Sequence, residues 1–151
     1  MGAFVLGPRS RAELVGVDAD LVAVVESALA RSPVDFAVHD GKRTPAEQAA
    51  YVAKGVSKTL DSKHLIGDAV DLVPYLRGAL RWEWPALYLV AGVVRAAAVE
   101  RGIRLRWGGA WDVDLTATTE APEVVSAGYV ARRKAAKRKV FLDGPHFELV
   151  R

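Results

Sequence analysis

The chain has 151 residues, a formal net charge of +3, 51% apolar residues and 26% charged residues, which describes a folded domain with its own core and excludes a disordered tail. It has no cysteine, so a disulfide framework, a thiolate zinc finger and a cysteine nucleophile are all excluded. Any metal site must use Asp, Glu and the three histidines, His39, His64 and His146.

The first residues lack a basic stretch followed by a long apolar run, so no signal peptide is expected. No internal repeat or Pro/Gly/Ser-rich linker divides the chain, and it reads as a single domain over residues 1–151. Asp18 can cap a helix running to about residue 31, with Leu21, Val25, Ala28 and Leu29 on one face and Ser32-Pro33 as its stop. Residues 35–39 alternate as a strand and end at the turn pair Asp40-Gly41. Thr44-Pro45-Ala46-Glu47 has the capping-box register, which predicts a helix to about Lys54 with Gly55 after it.

Residues 83–101 form the longest predicted helix, apolar on nearly all sides and closed by Gly102. Its most apolar stretch, 84–94, is too short to cross a bilayer. Three short strands are expected over 68–73, 103–107 and 145–150. Helices and strands mix without a βαβα rhythm, so the expected fold class is α+β with a small, mostly antiparallel sheet flanked by helices. Residues 112–140 read as a long loop with a short helix, acidic at its start and basic at its end.

Chemistry concentrates in two places. In Ser62-Lys63-His64-Leu65-Ile66-Gly67-Asp68-Ala69-Val70-Asp71, a histidine at a turn precedes an aspartate on the following strand by seven residues. An aspartate aimed inward there is costly unless it is paired or binds a metal; a satisfied aspartate beside a surface histidine is the plainer alternative. In Asp143-Gly144-Pro145-His146-Phe147-Glu148-Leu149, His146 and Glu148 share a strand face, and a Gly-Pro turn lets Asp143 swing to that side. Together His64, Asp71 and His146 would supply two imidazoles and a carboxylate, a zinc set with a fourth position open for water. Asp143 and Glu148 are rival candidates for the base.

Ser62-x-His64-x-x-Gly67-x-Ala69-x-Asp71 followed by Asp143-x-x-His146-x-Glu148 resembles the signature of the D-Ala-D-Ala carboxypeptidase and L-alanyl-D-glutamate peptidase family. These are zinc peptidases of the lysostaphin, D-Ala-D-Ala peptidase and hedgehog-like group, and the likeness is strongest to single-domain phage endolysins. It extends over Ser32-Pro33, Gly41-Lys42-Arg43-Thr44 and Trp107-Gly108-Gly109-Ala110-Trp111. The resemblance implies one Zn2+ ion on His64, Asp71 and His146, with Asp143 as acid and base and Arg43 steadying the oxyanion. Ser62 and Glu148 would orient those groups, and Trp107 and Trp111 would touch substrate.

The implied reaction is hydrolysis of the L-Ala–D-Glu bond of peptidoglycan stem peptides. A D,D-carboxypeptidase or D-Ala-D-Ala dipeptidase, and a non-catalytic wall-binding module, are the alternatives. The implied enzyme works as a monomer and reaches the wall once a helper has permeabilised the membrane. Where relatives often have Gly-Gly-Asp-Trp, this chain has Gly108-Gly109-Ala110-Trp111, so that acid is lost or moved to Asp112. Some relatives carry a calcium loop here, and Asp112, Asp114, Thr116, Thr118, Glu120 and Glu123 have its spacing. Ala117 stands where that loop needs glycine, which makes Ca2+ the weaker expectation. The basic residues 132–139 read as a solvated face or as an electrostatic contact with anionic wall or outer membrane; no nucleic-acid module is recognisable.

Overall fold

A computed structural model describes residues 3–55, 57 and 62–151. The elements, in chain order, are α1 (Pro8–Glu13), α2 (Ala19–Arg31), β1 (Asp35–Asp40), α3 (Pro45–Ala53), β2 (Ala69–Leu76), β3 (Ala79–Leu80), α4 (Trp84–Arg101), β4 (Leu105–Gly108), α5 (Pro122–Ala135) and β5 (Asp143–Leu149). Short 3-10 turns at Lys63–Ile66 and Leu115–Ala117 complete the set.

The helix boundaries follow from their caps. The Asp18 carboxylate accepts from the Asp20 N–H at 2.8 Å and starts α2. Thr44 and Glu47 exchange both bonds of the capping box at the head of α3. Gly102, left-handed, closes α4. α4 buries Leu87, Val90, Ala91, Val94, Ala97 and Ala98, whereas Leu89 and Val99 face solvent. Although apolar on nearly all sides, it is therefore buried on one face only, packed against α2 and the sheet.

The sheet is antiparallel with strand order β1-β2-β5-β4, and β3 pairs with β2. Register fixes what each face carries. Val70 lies opposite Phe147, and both belong to the core with Leu72, Leu105, Trp107 and Leu149. Asp71 lies opposite His146, and Ala69 opposite Glu148, so those side chains project from the other face. One sheet thus holds the core on one side and the polar cluster on the other.

Two irregularities shape that second face. The β1–β2 register shifts between Val38 and Asp40, so Asp40 pairs with Asp71 rather than following Val38 toward the core. The β4–β5 register shifts between Trp107 and Gly108, so Gly108 meets Asp143. A Cβ on Gly108 would come within 2.0 Å of the Asp143 carbonyl oxygen, so only glycine admits this approach.

The strands expected over 103–107 and 145–150 lie at Leu105–Gly108 and Asp143–Leu149, and other expectations are corrected. The strand expected over 68–73 begins at Ala69 and runs through Pro74 to Leu76. Both α1 and the two-residue β3 went unread. Residues 112–140 contain a 14-residue helix, α5, where a loop with a short helix was expected. Only Val125, Ser126 and Tyr129 of α5 are buried and Gly128 sits mid-helix, so its apolar periodicity is faint.

Candidate metal centre

β2 and β5 deliver Asp71 and His146 side by side, and the turn Lys63–Ile66 brings His64 to them. Ser62 caps that turn by accepting from the His64 N–H at 3.2 Å. Three atoms converge. His64 Nε2 lies 3.3 Å from His146 Nδ1 and 3.3 Å from Asp71 Oδ1, and His146 Nδ1 lies 3.2 Å from Asp71 Oδ1. Ligand atoms bound tetrahedrally at the usual Zn–N and Zn–O lengths stand about 3.4 Å apart. The donor set therefore fits a small four-coordinate cation with one position left over.

The outer nitrogens fix the tautomers. His64 Nδ1–H donates to the Gly41 carbonyl at 2.6 Å, turning the Nε2 lone pair inward. His146 Nε2–H donates to Glu148 Oε1 at 2.8 Å, turning Nδ1 inward. Among the described residues, this is the one group of three or more His, Asp and Glu side chains close enough to share an ion.

Arg43 stands behind Asp71. Its Nη2 donates to Asp71 Oδ2 at 3.1 Å, Nε to Asp40 Oδ2 at 2.5 Å, and Nη1 to Gln48 Oε1 at 2.8 Å; Tyr51 covers the guanidinium at 4.3 Å. The arginine thus clamps a metal-facing carboxylate and places a fixed positive charge in the cavity wall. Asp40, Gln48 and Tyr51 escaped the sequence reading, because nothing local marks residues that meet only through a strand bulge and a neighbouring helix.

Electrostatics separate the carboxylates. Burial opposes the Asp71 charge, but hydrogen bonds to His146 and His64 outweigh it and hold the group well below the usual carboxylate range. Burial and the charge of Asp71 push Asp143 up to about 6, against the opposing pull of His146, His64 and Arg43. Burial would also raise Glu148, yet the hydrogen bond from His146, with its charge and that of Lys63, keeps it low. Glu148 is tied through both oxygens, with Lys63 Nζ at 3.4 Å from Oε2. Asp143 has the properties of a base near neutral pH; Glu148 has those of a fixed counter-charge.

His146 is raised to about 9: burial disfavours its charged form, but bonds to Asp71 and Glu148 and the charges of Asp71 and Asp143 prevail. A metal must displace that proton. Affinity for zinc is therefore expected to tighten by about tenfold per pH unit between roughly pH 6 and 9 and to flatten above it. Competition against a chromogenic chelator across that range measures this; a flat profile would mean that the imidazole is already neutral.

A cavity of about 480 Å³ opens over the cluster, lined among others by His39, Lys63, Trp82, Trp111, Phe141 and Asp143. Trp111 lies against the His146 ring at 5.0 Å and stacks on Phe141 at 5.9 Å. Trp107 is corrected. It is 0% exposed in the core, and its Nε1 donates to the Gly144 carbonyl at 2.7 Å, so it braces the Asp143 turn and cannot reach substrate.

The segment with calcium-loop spacing is bound by arginines. Arg132 grips Asp112 with two bonds of 2.6 and 2.9 Å, Arg104 holds Asp114 at 2.8 Å, and Arg95 reaches Thr118 and the Glu120 carbonyl at 3.0 and 2.6 Å. Asp114 also caps the turn Leu115–Ala117.

A family model described as phage L-alanyl-D-glutamate peptidase matches residues 1–150. The L-alanyl-D-glutamate peptidase of Escherichia phage T5 is 38% identical over 114 residues, 73% of this chain and 83% of that protein. The protein of the same name from Listeria phage A118 is 30% identical over 78 residues, 52% of this chain and 27% of its own length. The crystal structure of Serratia marcescens L-Ala D-Glu endopeptidase ChiX is similar at a TM-score of 0.74 and 37% identity, over 98% of this chain and 91% of that one.

Proposed function

Since the chain belongs to the phage L-alanyl-D-glutamate peptidase family, we propose that it is a zinc-dependent endopeptidase that hydrolyses the L-Ala–D-Glu bond of peptidoglycan stem peptides. The observation that carries this reading is the convergence of two tautomer-fixed imidazoles and an ionised carboxylate at 3.2–3.3 Å beneath an open cavity. Tetrahedral spacing and nitrogen-rich donors favour zinc over calcium or magnesium, which take more oxygen ligands. A zinc ion held there would polarise the scissile carbonyl and acidify water.

Asp143 takes the proton from the attacking water and returns it to the D-Glu nitrogen as the C–N bond breaks. Arg43 holds Asp71 in place and adds positive charge near the developing oxyanion. Ser62 and Glu148 orient His64 and His146. Trp111, lying against the His146 ring, forms a wall for substrate.

One chain supplies every residue of the site, consistent with action as a monomer. No helix among the described residues is long and apolar enough to cross a membrane, and the reading places the enzyme at the wall after membrane permeabilisation. Arg133, Lys134, Lys137, Arg138 and Lys139 have no carboxylate within 4.0 Å among the described residues. They provide a salt-screened attraction to anionic wall.

Mass spectrometry of digested muropeptides tests the bond assignment. The expected product is a stem fragment with a new amino-terminal D-Glu; free D-alanine with the L-Ala–D-Glu bond intact would favour the carboxypeptidase reading instead.

A further inference from the structure

The cavity has two aromatic walls on opposite flanks of the sheet. Trp111 and Phe141 stand beyond β4 and β5, against His146. On the β1 flank, His39 meets Trp82 edge to face, with ring centroids 5.2 Å apart and planes at 90°. On the β5–β4 side two cations, Lys63 and Arg106, approach one carboxylate, Glu148. On the β1 flank the balance is reversed, with one cation, Arg43, shared by two carboxylates, Asp40 and Asp71.

Trp82 is displayed rather than packed. It is 52% exposed although it lines the cavity. It follows a hairpin whose two-residue loop, Arg77–Gly78, has φ of 53° and 78°, and the Arg81 N–H donates to the Pro74 carbonyl at 2.8 Å. His39 is the residue at which the β1 register slips, a device that re-aims a side chain. Two local irregularities thus cooperate to hold one indole at the cavity mouth, where a rigid flat side chain offers contact area at little entropic cost.

Resting on the peptidase reading above, we propose that Trp82, buttressed by His39, is the platform on which the amino-sugar ring carrying the stem peptide stacks. The chemistry of the substrate sets the distance. The L-Ala amino group is amide-bonded to the lactyl arm of the sugar, so the ring lies about two residue lengths, roughly 7 Å when extended, from the scissile carbonyl. The other side of the bond bears the D-Glu carboxylate, which suits the flank where Lys63 lines the cavity. The C–H face of the sugar then falls to the flank whose arginine is already held by two carboxylates, where an exposed indole can receive it.

The test compares two purified substrates, a disaccharide-tetrapeptide muropeptide and the same tetrapeptide without sugar. The wild-type chain is expected to favour the first through KM. Trp82→Ala should raise KM for the sugar-bearing substrate by about tenfold with kcat unchanged, and should leave the sugar-free peptide unaffected. Trp82→Phe should restore most of the difference, and melting temperatures should confirm that both variants are folded. An equal loss on both substrates, or no loss on either, overturns the platform. Absence of any cleavage by the wild-type chain would overturn the peptidase reading and the platform with it.

Discussion

Asp143→Asn is expected to keep one bound metal ion and to lose turnover by roughly two to four orders of magnitude, the range for general acid–base catalysis. The amide preserves size and hydrogen bonding, so the change isolates proton transfer. The site is braced for this residue: Gly108 allows the close β4 approach to Asp143, and Trp107 pins the next carbonyl. The raised pKa of Asp143 sets the pH signature. A base works only when deprotonated, so kcat/KM should fall as pH drops through about 6, the metal-free value, or lower once a cation sits nearby. Rate profiles with metal analysis of the variant check both statements. An active Asp143→Asn enzyme beside a dead, zinc-loaded Glu148→Gln enzyme would reverse the two roles.

His64→Ala has the second large expected effect, of a different kind. It removes one of three protein donors, so the metal itself should be lost and activity should fall to background, by at least about four orders of magnitude. It also leaves the Gly41 carbonyl without its 2.6 Å donor and Asp71 with one imidazole fewer. The metal-free fold should weaken by about 1–3 kcal/mol for the unsatisfied buried groups. Thermal melts and elemental analysis of the same preparation separate the two losses. Zinc retained at one equivalent in the folded variant would mean that the ion sits elsewhere.

The contrast shows what was legible in the chain. Caps are local, so the heads of α2 and α3 and the end of α4 could be read from Asp18, Thr44, Glu47 and Gly102. The pairing of His64, Asp71 and His146 was also legible, because strand alternation puts Asp71 and His146 on polar faces and the motif spacing supplies the turn. Register shifts were not legible. The bulge that turns Asp40 toward Arg43 and re-aims His39 depends on pairing with a strand some thirty residues away.

Trp107 was misjudged for a related reason: β4 places it opposite Phe147 on the core face, which its neighbours in sequence do not reveal. Gln48 was invisible because one fully buried amide on an otherwise exposed helix acquires meaning only from the guanidinium it meets. The helix α5 was obscured by a thin apolar stripe and a basic tail.

The central claim is that hydrolysis depends on one zinc ion held by His64, Asp71 and His146. The most direct measurement is the metal content of folded protein, taken alongside its rate on muropeptide before chelation, after chelation and after zinc is returned. The account predicts one zinc per chain, with turnover vanishing and recovering as the ion leaves and returns. Full turnover by folded protein that carries no metal would contradict it.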